Sequence, residues 1–152
     1  MPAQDTSSAQ HSASRSVSKA ELRRLIRRRD FLRLAASGIR AARPGLVLQA
    51  APRPASTSEG GASEHEIGVG FTTTRKLGKA VTRNRIRRRL REAARLVLAD
   101  AARPGTDYVL IGRKTTLDRS FGDLCRDLRS ALEQVHRRLD RDGSNDKQRA
   151  RR

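Results

Sequence analysis

The densest chemistry in the sequence lies between Lys79 and Arg95, which reads KAVTRNRIRRRLREAAR. From Arg83 onward this stretch holds seven arginines and one acid, Glu92. Guanidinium groups neither attack nor transfer protons at neutral pH. Their chemistry is anion binding, because the planar fork matches phosphate and carboxylate oxygens. The stretch also has a helical period. At about 100° per residue, Leu90, Ala93 and Val97 fall within about 40° of Ile86, and Ala94 within about 80°. Arg87, Arg91, Asn84, Arg95, Arg88, Arg85 and Arg89 fill the remaining arc. One stripe packs, and the rest is cationic.

An ordinary solvated helix face mixes signs, since opposite charges at i,i+4 stabilise and like charges repel. The N-terminal end of a helix also carries partial positive charge and favours acids. Here Arg83, Arg85, Arg87 and Arg88 occupy that end, with Arg75, Lys76 and Lys79 just upstream and no acid before Glu92. The sequence opposes its own local stability, which points to a bound anion. A phosphate backbone is the natural one, held by arginines and by free N–H groups at the helix start. A helix-turn-helix would need another helix shortly before this one, where the sequence reads as strand. A membrane-surface helix would need a bulkier apolar face.

No other constellation carries chemistry. His11, His65 and His136 are far apart, and Cys125 is the only thiol, so no metal-ligand spacing exists. Cys125 falls on an apolar helical stripe and reads as core. Asp118, Asp123 and Asp127 read as capping and i,i+4 partners of arginines rather than metal ligands. GVGFTTTRKLGK lacks the ending of a phosphate loop.

Composition agrees with a nucleic-acid partner. The chain has 152 residues, with 34 Lys and Arg against 16 Asp and Glu, a formal charge of +18. That excess repels itself unless a polyanion meets it. A single cysteine excludes an intramolecular disulfide and fits a reducing cytoplasm. No apolar run has the length of a membrane span, and the N-terminus lacks a secretory apolar core.

The elements that position the arginines follow from period and turn signals. Residues 1–18 read as a disordered tail and 141–152 as a disordered basic tail, flanking one domain over 19–140. Residues 19–37 are helix-prone, with Asp30 as a candidate start and Arg23 to Arg29 as a basic lead-in. GLVLQAA, Gly45 to Ala51, is a strand, and a further short strand fits near Arg40 to Arg43. Residues 52–65, rich in Pro, Ser and Gly, read as a flexible loop. EIGVGFT alternates Ile67, Val69 and Phe71 against glycines, a strand whose glycine face is either approached by something or simply weak. The arginine helix runs to about Asp100. YVLIG, Tyr108 to Gly112, is a strand buried on both faces. Ser120 caps a last helix, on which Phe121, Leu124, Cys125, Leu128, Leu132, Val135 and Leu139 form the apolar stripe to about Asp140. The sum is an α/β (α+β) two-layer sandwich of three helices on a small mixed sheet of about four strands.

With its flanks, KLGKAVTRNRIRRRLREAAR resembles the signature of the bacterial ribonuclease P protein component, approximately K-x-G-x-A-V-x-R-N-R-x-[KR]-R. RRRDFLRLAASG resembles that family's first helix, EIGVGFTTTRKLG the strand before the signature and TDYVLIGRK the strand after it. The resemblance spans about Arg27 to Arg138. It implies a left-handed βαβ crossover around the arginine helix, contrary to the usual hand. It implies a subunit that helps remove the 5′ leader of precursor tRNA, with catalysis by an RNA subunit and its Mg²⁺. The protein itself would hold no cofactor, carry no catalytic side chain and need no protein partner or membrane. Its partners would be the catalytic RNA and precursor tRNA, in the cytoplasm. Arg83, Asn84, Arg85, Arg87, Arg88 and Arg91, helped by Arg75, Lys76 and Lys79, would contact the catalytic RNA. Phe31, Arg33 and Leu48 would line a cleft for the single-stranded leader, although Phe31 reads equally as a core residue. The sequence departs from the family in that cleft, with Ala35 and the Leu46 to Gln49 stretch where aromatics are frequent. The other function classes are a basic protein of another ribonucleoprotein, such as the ribosome, and a protein-only nuclease, which would need a carboxylate cluster.

Overall fold

The computed structural model describes residues 22–37, 39–54 and 66–151. The tail over 1–18 and most of the loop at 52–65 lie outside the described residues, as do His11 and His65. Five strands form one mixed sheet: β1 (Leu22–Arg24), β2 (Arg40–Ala42), β3 (Leu46–Pro52), β4 (Ile67–Thr72) and β5 (Thr106–Gly112), in the order β1-β4-β5-β3-β2. β1, β4 and β5 run parallel, while β3 is antiparallel to β5 and β2 antiparallel to β3. Three helices accompany it: α1 (Arg28–Ala36), α2 (Ala80–Ala101) and α3 (Phe121–Ala150).

The period-two pattern sorts the sheet's side chains onto two faces. Leu46, Leu48, Ala50, Ile67, Val69, Tyr108 and Leu110 join Ile86, Leu90, Ala93, Ala94, Val97 and Leu98 of α2 and Leu124, Leu128, Ala131, Leu132 and Val135 of α3 in the main core. On the other face, Ala51 and Val109 pack with Leu34 of α1, flanked by Leu25, Phe31 and Ile111. The Ile86 stripe thus packs as its period requires, with Leu98 added. Gly112 lets α2 lie close on β5, since a Cβ there would stand 2.5 Å from Cγ2 of Ile86.

The hand of the β4-α2-β5 crossover follows from chirality. The Val69 side chain points into the α2–α3 layer, and its carbonyl accepts from Leu25 N–H at 2.9 Å on the β1 side. Viewed from its side-chain face with the chain running upward, an L-residue directs both N–H and C=O to the right. β1 therefore lies to the right of β4 and β5 to the left, while α2 crosses in front. The crossover is left-handed, against the usual preference.

Three elements differ from the sequence expectation. Residues 22–24 form a strand, so the sheet has five strands rather than four, and α1 begins at Arg28. A helix over 23–29 would crowd five arginines, whereas the open edge of β4 offers unpaired backbone groups to β1. Phe121 is 38% exposed and lies outside the core. α3 continues to Ala150, although residues 141–150 are exposed and add nothing to the core. No proline interrupts it, and Lys147 and Arg149 lie in its last turn, where cations favour the helix dipole. Ser120 caps α3 as expected, its Oγ accepting from Asp123 N–H at 3.1 Å.

A polar tie fastens the α2–β5 connection to α3. The Tyr108 hydroxyl accepts from the Arg103 N–H at 3.0 Å and lies 2.7 Å from His136 Nε2. The hydroxyl and Nε2 share one hydrogen bond, whose donor is set by the imidazole tautomer. Burial first, and then the charge of Arg103, hold His136 below the ordinary histidine value. A depressed folded value means that this contribution is complete above the unfolded pKa of about 6.5 and is lost as pH falls through the folded value. Denaturant unfolding of wild type and His136→Phe checks this. The wild-type advantage shrinks as pH falls below about 6.5, and a pH-independent difference contradicts the assignment.

Candidate nucleic-acid interface

α2 opens without any device that normally starts a helix. Lys79 is its N-cap and forms no side-chain cap, and the first turn holds no acid. Just before it, a short 3₁₀ turn over Arg75–Leu77 ends at Gly78, whose φ of 128° few side chains tolerate. Arg75, Lys76 and Lys79 are therefore gathered, all exposed, at the N-terminal end of α2. Along the helix, Asn84, Arg85, Arg88, Arg91 and Arg95 are exposed, and Arg83, Arg87 and Arg89 are half-buried.

Contacts divide these arginines by role. Arg95 pairs with Glu92 at 3.0 Å, so the lone acid is occupied. Arg89 donates to the Arg119 carbonyl and ties α2 to the segment before α3. Arg87 donates to Thr73 Oγ1 at 2.9 Å, which fixes its reach. Arg83 keeps its Nε buried with no hydrogen-bond partner among the described residues. Among these residues no ion pair involves Arg75, Lys76, Lys79, Arg83, Arg85, Arg87, Arg88 or Arg91. Elsewhere, arginines 23, 33, 53, 103, 119 and 126 all meet carboxylates. Eight cations without an acidic partner among the described residues are thus gathered around the N-terminal half of one helix.

The α1 face of the sheet is a shallow cleft with its own logic. The Phe31 ring lies on Gly70, where a Cβ would stand 2.7 Å from Cε1. The glycines of β4 therefore mark a close approach. Phe31 is half-buried, packed against the small cluster yet open on one side. Arg33 is not a free cation. It donates to the Pro52 carbonyl at 2.8 Å and pairs with Asp107, and Asp30 lies 3.8 Å away. Asp107 is 2% exposed and also takes Arg53 at 2.9 Å. It rests on Gly68, where a Cβ would collide with its carboxylate.

Leu48 does not belong to this cleft. It pairs in register with Ala41 and Leu110, is fully buried and faces α2 and α3. The cleft side of β3 is formed by Val47, Gln49 and Ala51. Successive strand residues point to opposite faces, so a one-residue shift exchanges core for cleft. The run GLVLQAA has no alternation from which to read the correct face.

Sequence reasoning missed the Arg33–Asp107–Arg53 cluster. Its signal is an acid at the start of the apolar run TDYVLIG, since a buried carboxylate requires cationic partners. Two of the three aspartates considered for metal are occupied: Asp127 pairs with Arg119 at 2.9 Å and accepts from Gly45 N–H at 3.0 Å, and Asp123 pairs with Arg126 at 3.2 Å. No group of three or more His, Cys, Asp or Glu gathers for a metal among the described residues. No helix among them is long and apolar enough to cross a membrane.

Comparisons with known proteins agree with this geometry. The ribonuclease P family model matches residues 20–136. The ribonuclease P protein component of Ruegeria pomeroyi is 52% identical over 116 residues, covering 74% of this chain and 85% of its own. That of Paramagnetospirillum magneticum is 48% identical over 116 residues, covering 76% and 84%. Among solved structures, the RNase P protein from Thermotoga maritima superposes with a TM-score of 0.54 at 27% identity, over 70% of this chain and 91% of its own. The Staphylococcus aureus RNase P protein, at 23% identity and a TM-score of 0.56 over 72% and 92%, shares the fold. With its arginine helix, left-handed crossover and mixed sheet, and with these relatives, the chain belongs to the ribonuclease P protein family.

Proposed function

We propose that this chain is the protein subunit of ribonuclease P. It binds the catalytic RNA through the arginine face of α2 and promotes removal of the 5′ leader from precursor tRNA. The observation that carries this reading is the set of eight cations at the N-terminal half of α2, all without an acidic partner among the described residues. Such a set is costly in the free protein and is compensated when phosphates displace its counterions. The phosphodiester chemistry belongs to the RNA subunit and its Mg²⁺. The protein's residues bind and orient. Arg75, Lys76, Lys79, Arg83, Arg85, Arg88 and Arg91 meet the RNA backbone, and Asn84 adds an amide that both donates and accepts. Arg87, held by Thr73, stands where this face meets the groove leading to Phe31. The cleft over Gly70 receives the leader, with Phe31 as a stacking surface that tolerates any base.

A competition experiment tests the partner. Labelled ribonuclease P RNA is bound to the chain and challenged with ribosomal RNA fragments of equal length. The catalytic RNA is retained against a large excess of competitor. Equal displacement by ribosomal RNA contradicts the assignment and favours another ribonucleoprotein.

A further inference from the structure

The free edge of β2 lies at the side of the sheet opposite β1, beside α3. Ala50 N–H donates to the Ile39 carbonyl at 3.1 Å, and Arg43 and Leu46 bond each other at 2.8 and 3.3 Å. Antiparallel bonding alternates, so the carbonyls of Arg40 and Ala42 point outward from the edge. Arginines hold both. Arg138 of α3 donates to the Arg40 carbonyl at 3.0 Å, and Arg43 to the Ala42 carbonyl at 2.8 Å. Arg43 also donates to Ser130, to its Oγ at 2.9 Å and its carbonyl at 3.2 Å. Arg113 donates to the Arg43 carbonyl at 2.8 Å and steadies the turn. Arg40 is exposed, and its side chain forms no hydrogen bond among the described residues. None of Arg40, Arg43 and Arg138 pairs with a carboxylate among them.

Protection of the edge explains the donors but not their charge. A strand as short as β2 is already a poor template for pairing, and a neutral amide would satisfy a carbonyl. A guanidinium carries five N–H groups. Arg138 commits one of them here and Arg43 three, so both keep donors for an outside acceptor. The backbone bonds also fix these groups in advance, which lowers the ordering cost of binding an anion.

We propose that the β2 edge, with Arg40, Arg43 and Arg138, is a second RNA surface, and that it takes the phosphate backbone of double-helical RNA. The chemistry selects the strand state. The exposed large apolar side chains are Leu22, Ile26, Leu32, Val81, Leu96 and Phe121, and none lies on β2 or on α3 between Ser130 and Arg138. Open bases find nothing to stack on here, as a bound single strand requires. A duplex keeps its bases inside and is recognised through backbone and shape, which cations alone match. Arg43 is fixed at Ser130, and Arg138 follows eight residues later, about 12 Å along α3. The cations therefore span more than one phosphate. α3 separates this edge from α2, whose Arg89 donates to the Arg119 carbonyl just before α3. A helix is about 10 Å across, so one large folded RNA reaches both surfaces. That this RNA is the catalytic RNA rests on the function proposed above.

The test uses the full chain carrying Arg40→Gln, Arg43→Gln and Arg138→Gln. Glutamine removes the charge and keeps a donor for the edge carbonyls. The first arm measures affinity for an RNA duplex and for an unstructured RNA oligonucleotide across a salt series. The log–log slope for the duplex becomes shallower by about 2–3, from three contacts at about 0.7–0.9 each. The oligonucleotide slope changes much less. An unchanged duplex slope overturns the surface, and an equal change for the oligonucleotide overturns the duplex assignment. Lysine at the three positions restores most of the slope, since a point charge still displaces a counterion. A lysine variant as weak as the glutamine one would make these arginines edge caps only. Arg40→Gln alone, at a side chain with no bond to lose among the described residues, shifts the duplex slope by about 0.7–0.9. No shift there overturns the surface even where the triple variant folds poorly. The second arm measures affinity for ribonuclease P RNA, which falls about tenfold in the glutamine triple near ~0.1 M salt. Unchanged affinity beside a shifted duplex slope overturns the catalytic-RNA assignment. A wild-type chain that binds ribonuclease P RNA no better than ribosomal RNA counts against the proposed function, and the first arm then decides the surface by itself.

Discussion

Replacing Arg85, Arg88 and Arg91 together by alanine lowers affinity for the ribonuclease P RNA on the order of a hundredfold near ~0.1 M salt. It also makes the log–log salt slope shallower by about 2–3. The three side chains are exposed and have no acidic partner among the described residues, so the free protein loses no contact. Their removal also relieves repulsion along α2 and at its electropositive end, so thermal stability is unchanged or rises. Loss of binding without loss of fold separates this result from a misfolded variant. A control triple, Arg129→Ala, Arg137→Ala and Arg141→Ala, removes equal charge from exposed positions on α3. Its effect on the slope is much smaller, because net charge steers encounter whereas contact displaces counterions. Equal effects from the two triples would reduce the arginine face to a contribution of net charge.

Asp107→Ala has the largest expected effect on stability. The carboxylate is buried on the floor of the α1 face, held by Arg33 from α1 and Arg53 just beyond β3. Without it, two guanidinium groups face each other, and the only counter-charge left beside them among the described residues is Asp30, 3.8 Å from Arg33. Removing one partner of a buried pair costs about 3–5 kcal/mol, and the lower end applies because Arg33 and Arg53 keep some contact with water. Denaturant unfolding gives the loss directly. Asp107→Asn keeps one acceptor oxygen and falls between wild type and alanine. If alanine at 107 changes stability by less than about 1 kcal/mol, typical of an exposed pair, Asp107 does not key α1 to the sheet.

How much of this was legible in the sequence depended on whether a residue's environment comes from its neighbours in the chain or from elsewhere. The Ile86–Leu90–Ala93–Val97 stripe was legible because 3.6-residue periodicity is a local property of α2. The excess of arginine was informative because the helix dipole is local too. β5 was legible because YVLIG is a continuous apolar run, as suits a strand buried on both faces. β1 was not legible. Its three residues are strand because β4 offers a free edge, and that edge is fixed 45 residues later, where Leu22 pairs with Ile67. Leu48 faces the core rather than the cleft, and GLVLQAA lacks the alternation that would report this direction. Asp107 was overlooked because its partners, Arg33 and Arg53, lie 74 and 54 residues away. The extension of α3 was missed because an exposed charged helix and a charged tail share a composition.

The central claim is that this chain assists a catalytic RNA and leaves the chemistry to it. The most direct measurement is leader removal from a precursor tRNA by a bacterial ribonuclease P RNA, at a Mg²⁺ concentration where that RNA alone is slow. Adding the chain accelerates removal, and the Arg85, Arg88 and Arg91 triple variant does so far less at equal concentration. No acceleration by the wild-type chain, with binding to that RNA no tighter than to unrelated RNA, would contradict the account.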